Sequence, residues 1–174
     1  AFCPARAEMG AMQYRVGGPA TAQTTAGSAT LTINEVMASN TRTVQNLQGQ
    51  FADWIELVNT GSAGVDLTGL YLTDDRQNPR KWIFPAGTAL EPGKQLIVWA
   101  DEDAKASSGL HANFKLSRRG ESLLLVDSDS RSNAVLDAVD FPSQRDDISW
   151  GRSPDGQGPW QPLEPTPGKP NSAP

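Results

Sequence analysis

The stretch Asp53-Trp54-Ile55-Glu56-Leu57-Val58-Asn59 decides the fold. Side chains alternate across a β-strand, so Ile55 and Leu57 share one face while Trp54 and Glu56 share the other. The run ends at Asn59-Thr60-Gly61, where glycine supplies the positive φ that a tight reversal needs. Upstream, Leu31-Thr32-Ile33-Asn34-Glu35-Val36-Met37 reads as a partner strand. Downstream candidates are Val65 to Thr73, Lys81 to Phe84, Gln95 to Ala100, Glu121 to Val126, Ala134 to Phe141 and Ile148 to Gly151. Glu91-Pro92-Gly93 and Arg119-Gly120 punctuate them. Short apolar segments separated by turn chemistry predict an all-β, antiparallel sandwich of about seven to nine strands. Only Asp101-Glu102-Asp103-Ala104-Lys105-Ala106 is compatible with a helix, and at that length it is a marginal turn.

The ends read differently. Residues 1–29 carry Gly17-Gly18-Pro19 and the small polar run Ala20 to Ser28, which offers little apolar surface to offset its ordering entropy and reads as a linker. Within it Met12-Gln13-Tyr14-Arg15-Val16 reads either as an extra strand or as the end of a preceding domain. The sandwich is expected over 30–161. The Pro-rich segment 162–174 is expected as a C-terminal extension running along the surface or into a linker, because proline cannot donate to a ladder.

Composition narrows the function. With 37% hydrophobic residues, 20% charged, 16 Gly and 13 Pro, the chain is a turn-rich globular protein. A formal charge of −5 repels phosphate backbones on average, so a nucleic-acid partner is not expected. No apolar run reaches the ~20 residues of a membrane-spanning helix. The beginning of the chain carries no leader pattern and suits a mature protein or an excised fragment.

The succession Ile33-Asn34-Glu35-Val36-Met37-Ala38-Ser39-Asn40, Asp53 to Asn59, Leu67-Thr68-Gly69-Leu70-Tyr71-Leu72-Thr73-Asp74, Trp82-Ile83-Phe84-Pro85, Leu90-Glu91-Pro92-Gly93 and Val98-Trp99-Ala100-Asp101 resembles the bacterial lamin-tail domain. Phe114-Lys115-Leu116-Ser117, Gly120-Glu121, Ser149-Trp150-Gly151-Arg152, Pro154-Asp155-Gly156 and Pro165-Thr166-Pro167-Gly168-Lys169-Pro170-Asn171 continue it in order, covering roughly 31–171. The resemblance implies an immunoglobulin-like sandwich, without a catalytic activity common to the family. In bacteria such a domain is an accessory unit of extracellular or cell-surface proteins. No coiled-coil heptads precede the domain here, so a filament role is not expected.

The chemistry agrees with an accessory role. One histidine, His111, and one cysteine, Cys3, are too few for a nucleophilic triad or a closed zinc site. Glu35, Asp53 and Glu56 form the one carboxylate set that strand pairing would bring together. An acid/base pair or a cation site is weighed against hydrogen bonding to backbone or Arg at a sandwich corner, and the second reading is preferred. Asp127, Asp129 and Asn133 alternate hard oxygens as Ca²⁺ requires, and Asp101-Glu102-Asp103 is a second such run; the first lacks the glycine and distal Glu of an EF-hand loop and reads better as a hairpin turn. No cofactor is expected, Ca²⁺ being the one candidate these runs leave. Core packing is expected for Trp54, Trp82 and Trp99, with Trp160 exposed or pinning the tail; stacking of Trp54, Trp82, Trp99, Trp150 and Trp160 on sugar is the alternative. Arg76, Arg80 and Lys81, and separately Arg118 and Arg119, read as solvated charge rather than a basic patch. Asn34 and Asn59 complete the set of motif residues with a structural reading. The expected function is therefore binding of a protein, glycan or envelope partner, ahead of a spacer between neighbouring domains and then a carboxylate hydrolase.

Overall fold

The computed structural model describes residues 30–103 and 105–172. The linker expected over 1–29 and the possible strand within it lie outside those residues. Among the described residues there are twelve strands: β1 (Leu31–Met37), β2 (Trp54–Asn59), β3 (Val65–Asp66), β4 (Tyr71–Thr73), β5 (Trp82–Ile83), β6 (Ala89–Leu90), β7 (Gln95–Ala100), β8 (His111–Ala112), β9 (Glu121–Val126), β10 (Val135–Phe141), β11 (Ser149–Arg152) and β12 (Trp160–Leu163). The count exceeds seven to nine for two reasons. The segment Val65 to Thr73 is split into β3 and β4 by a turn in which Gly69 takes φ +79°, and β6, β8 and β12 are additional. The 101–106 segment contains no described helix, only a turn closed by Ala106 N–H on Asp103 O at 3.1 Å.

One sheet has the order β12-β11-β1-β2-β7-β8 and the other β10-β9-β4-β5, with β3 and β6 as a separate pair. All ladders are antiparallel except β7 with β8, where Trp99 faces His111 in parallel. Ile33, Val36, Ile55, Leu57 and Val98 from the first sheet meet Leu72, Leu123, Leu125 and Val139 from the second in one apolar core. This is the antiparallel sandwich that the period-two pattern predicts, of the immunoglobulin-like kind that the resemblance implies.

The pattern breaks once, with consequence. Ile33 pairs with Leu57 and Glu35 with Glu56, so Asn34 is an extra residue in a bulge. The bulge resets the alternation. It keeps Ile33 and Val36 in the core and places Glu35 opposite Glu56.

The outer face of the six-stranded sheet is also covered. At one end Met37, Trp54, Ile97 and Trp99 form a second apolar cluster against Val44 and Ala52 of the 40–53 loop. Trp54 and Trp99 are thus buried under a loop rather than between the sheets, whereas Trp82 is half-buried, its ring 4.7 Å from that of Phe84 at 68°. At the other end the Pro-rich segment folds back. Residues 162 and 163 belong to β12, Leu163 is 2% exposed, and Asn171 is buried. The packed structure therefore continues past 161, because the N–H groups of this segment find carboxylates where a ladder is impossible.

Asp147 clamps the 40–53 loop. It accepts from Thr41 N–H and Arg42 N–H at 2.9 Å each, and from the hydroxyls of Thr41 and Thr43 at 2.5 and 2.9 Å. Burial acts to raise its pKa, but these donors together hold it well below the usual carboxylate range. A depressed folded-state pKa adds stability above the unfolded value and loses it as pH falls toward the folded one. Asp147→Asn is therefore expected to lower the urea midpoint at neutral pH, with the difference from the unmodified chain closing as the solution is acidified.

Candidate functional site

Three places bear on function: a buried carboxylate corner, an acidic hairpin loop, and a surface cleft.

The corner is built on the Asn34 bulge. Glu35 and Glu56 are both fully buried, on adjacent strands. Asn34 Nδ2 donates to Glu56 Oε1 at 2.9 Å and to Asp155 Oδ1 at 3.2 Å, and its Oδ1 accepts from Gly156 N–H at 2.8 Å. Ser149 Oγ donates to Glu35 Oε1. The C-terminal segment closes the corner: Thr166 N–H lies 3.1 Å from Glu35 Oε1, Gly168 N–H 2.7 Å from Glu56 Oε2, and Asn171 N–H 2.7 Å from Asp155 Oδ1. Gly151 makes room for this; a Cβ there would come within 2.6 Å of Leu163 Cδ1 and 2.9 Å of Asn171 Nδ2. Burial raises the pKa of both glutamates, and only partly do the hydrogen bonds offset it.

Asp53 is not part of this corner. Its Oδ1 accepts from Asn40 N–H at 3.1 Å, and burial raises its pKa to about 6 against the lowering effects of that bond and of Lys115. Glu35, Asp53 and Glu56 thus do not converge on an open pocket, and Glu35 and Glu56 face backbone N–H groups in a closed one. Asn59 has a comparable local duty, donating to Ala63 O and Leu90 O at 2.8 and 2.9 Å.

In the hairpin between β9 and β10, arginines occupy the oxygens that a cation would need. Asp129 Oδ1 takes Tyr71 Oη–H at 3.0 Å, Asn133 Nδ2 at 2.9 Å and Arg80 Nε at 2.9 Å. Asp127 Oδ2 lies 3.5 Å from Arg131 and its Oδ1 accepts Ser128 N–H. Among the described residues no group of three or more His, Cys, Asp or Glu is arranged to hold a metal. His111 is likewise engaged: Nδ1 is 2.9 Å from Asp101 Oδ2 and Nε2 is 3.0 Å from Ser108 O. Arg80 and Arg76 each sit in an ion pair, the latter with Asp140 at 2.7 Å.

The cleft is a shallow, open depression of about 690 Å³ lined by Arg76, Glu121, Ser122, Asp140, Phe141, Pro142 and Trp150. It lies where β11 and β10 belong to opposite sheets. Trp150 pairs with Val36 and packs on the main core, yet stays half-buried and contributes to the cleft wall. Arg76 and Asp140 stand on the rim with side chains 55% and 71% exposed. The sequence gives Trp150 no distinction from the other four tryptophans; alternation assigns its face but not the cleft beside it. Trp160 is half-buried beneath Arg152, whose guanidinium lies 4.8 Å from its ring centre.

Comparison with known proteins agrees with this architecture. No curated protein matches the chain. The family model described as Lamin Tail Domain matches residues 24–142, more than half of the chain, and the sheet is then completed by β11 and β12 beyond the matched span. Supported by that match and by the sandwich, the chain belongs to the lamin tail domain family, a family of immunoglobulin-like domains.

Proposed function

We propose that this chain is a non-catalytic accessory domain of a secreted or cell-surface protein, carried beside neighbouring domains, and that it binds a glycan in the cleft beside Trp150. The observation that carries the reading is the cleft itself: an indole wall rimmed by Arg76, Glu121, Ser122 and Asp140. A saccharide presents apolar C–H faces and hydroxyls together, which suits an aromatic surface with a few convergent polar groups. The rim is available for this, because an exposed ion pair such as Arg76–Asp140 contributes little to stability. The carboxylates that would serve catalysis are enclosed in hydrogen bonds. Calcium has no part in this reading, and none of the described helices is long and apolar enough to cross a membrane.

The test is a panel of immobilised glycans probed with the unmodified chain, Arg76→Ala and Asp140→Ala. Retention on at least one saccharide, weakened by about tenfold or more in both variants, is expected; tenfold corresponds to ~1.4 kcal/mol. Equal retention by all three chains contradicts the cleft. A spacer role is favoured by a different observation, the guarded sheet edges. Pro162 lies in edge strand β12, and on edge strand β10 Asp137 Oδ1 accepts Ala138 N–H at 2.9 Å. Absence of retention on every glycan supports that role instead.

A further inference from the structure

The hydrogen bonds that fasten the C-terminal segment do not balance unless one carboxyl keeps its proton. Asn171 Nδ2 lies 3.2 Å from Asn34 O and 2.8 Å from Arg152 O, two carbonyls that can only accept. This fixes the amide orientation, so Asn171 Oδ1 is an acceptor. The Thr166 hydroxyl oxygen stands 2.7 Å from that Oδ1 and 3.0 Å from Glu35 Oε2. Three oxygens in a row joined by two hydrogen bonds need two protons. Threonine has one.

We propose that Glu35 is held as a neutral acid donating its proton to Thr166, and that this proton latches residues 166–171 onto the sandwich. With Glu35 ionised, the threonine proton can serve either Glu35 or Asn171 but not both, and two oxygens of a partly buried contact are left facing each other. The groups around Glu35 reinforce the point. Glu56 of β2 is its cross-strand partner, and Asp155 of the loop after β11 shares the corner; both are carboxylates. Arg152, the adjacent cation on β11, is engaged by Asp137 at 3.0 Å. Glu56 is the weaker candidate for this proton, since both its oxygens receive N–H donors, from Asn34 and Gly168.

The direction of the switch follows. Burial, the largest influence, raises the pKa of Glu35 above the ordinary carboxylate value despite the bonds from Ser149 and Thr166. A raised folded-state pKa gives stability that is complete below the unfolded value and is lost as pH rises through the folded one. The latch is therefore closed in acid and loosens toward alkaline pH, opposite to the Asp147 clamp.

The test is an NMR titration of the full chain that follows the Glu35 side-chain carboxyl carbon together with hydrogen-exchange protection of the Thr166 and Gly168 amides. Glu35 is expected to titrate above the ordinary carboxylate range, and protection at both amides to fall at least tenfold over the same interval. Glu35→Gln places an N–H donor where the acid proton stands and keeps a carbonyl for Ser149 and Thr166 N–H. Its protection is expected to be high and flat with pH. A Glu35 carboxyl that titrates at or below the ordinary range, with protection unchanged through it, overturns the proposal. So does loss of protection in a folded Glu35→Gln chain at every pH. The titration of the unmodified chain decides the matter even if the variant fails to fold.

Discussion

Asn34→Ala is expected to destabilise the domain by at least about 2 kcal/mol, because each buried polar group left without a partner costs on the order of 1–3 kcal/mol. Two groups lose theirs, Glu56 Oε1 its donor and Gly156 N–H its acceptor, while Asp155 Oδ1 loses one donor and keeps Asn171 N–H. Asn34 is fully buried, so water does not replace these bonds without opening the corner. The same side chain holds the 153–156 loop against β1, and exchange protection at Gly168 is expected to fall with stability. Urea denaturation reads the first effect. A cost below about 1 kcal/mol, the size of an ordinary solvent-compensated hydrogen bond, contradicts a closed corner.

Phe84→Ala is expected to cost about 3–5 kcal/mol, the range for removing a buried aromatic ring. Phe84 is 1% exposed and stands edge-on to Trp82. Its backbone also extends the β4–β5 pairing at the end away from the connecting loop, its N–H donating to Leu70 O at 2.8 Å and its carbonyl accepting from Gly69 N–H at 3.2 Å. The ring thus supports a two-residue strand that has little ladder of its own. Since whole domains are stable by only ~5–15 kcal/mol, this change takes a large share. Thermal melting is the measurement. A shift no larger than that of a surface substitution would remove Phe84 from the structural centre assigned to it.

Most of the sandwich was legible because alternation belongs to the side chains and survives in the sequence. Strands β1, β2, β7, β9 and β10 have six or seven residues each, long enough for a period of two to be seen. Strands β6 and β8 have two residues each and show no period, and β12 contains Pro162, which argues against a strand unless the strand lies at an edge. The proximity of Glu35 and Glu56 followed from pairing β1 with β2. The company they keep did not. Thr166 and Gly168 reach them, and Asp155 and Asn171 reach Asn34 beside them, across more than a hundred residues, and only the order β12-β11-β1-β2 brings those segments onto one face. The Asn34 bulge is equally silent in the sequence, although without it Glu35 would point into the core. Pairing of the first two strands groups Asp53 with the glutamates, but one strand's length separates its loop-capping role from theirs.

Trp150 and the rim beside it are proposed as the binding surface of this domain. Amide and indole ¹H–¹⁵N spectra of the full chain, titrated with a saccharide retained on the glycan panel, test it most directly. The Trp150 indole, with the amides of Ser122, Asp140 and Phe141, is expected to shift in a saturable way, while the buried indoles of Trp54 and Trp99 stay in place. Saturable shifts confined to any other surface, with the Trp150 indole unmoved, would contradict the account.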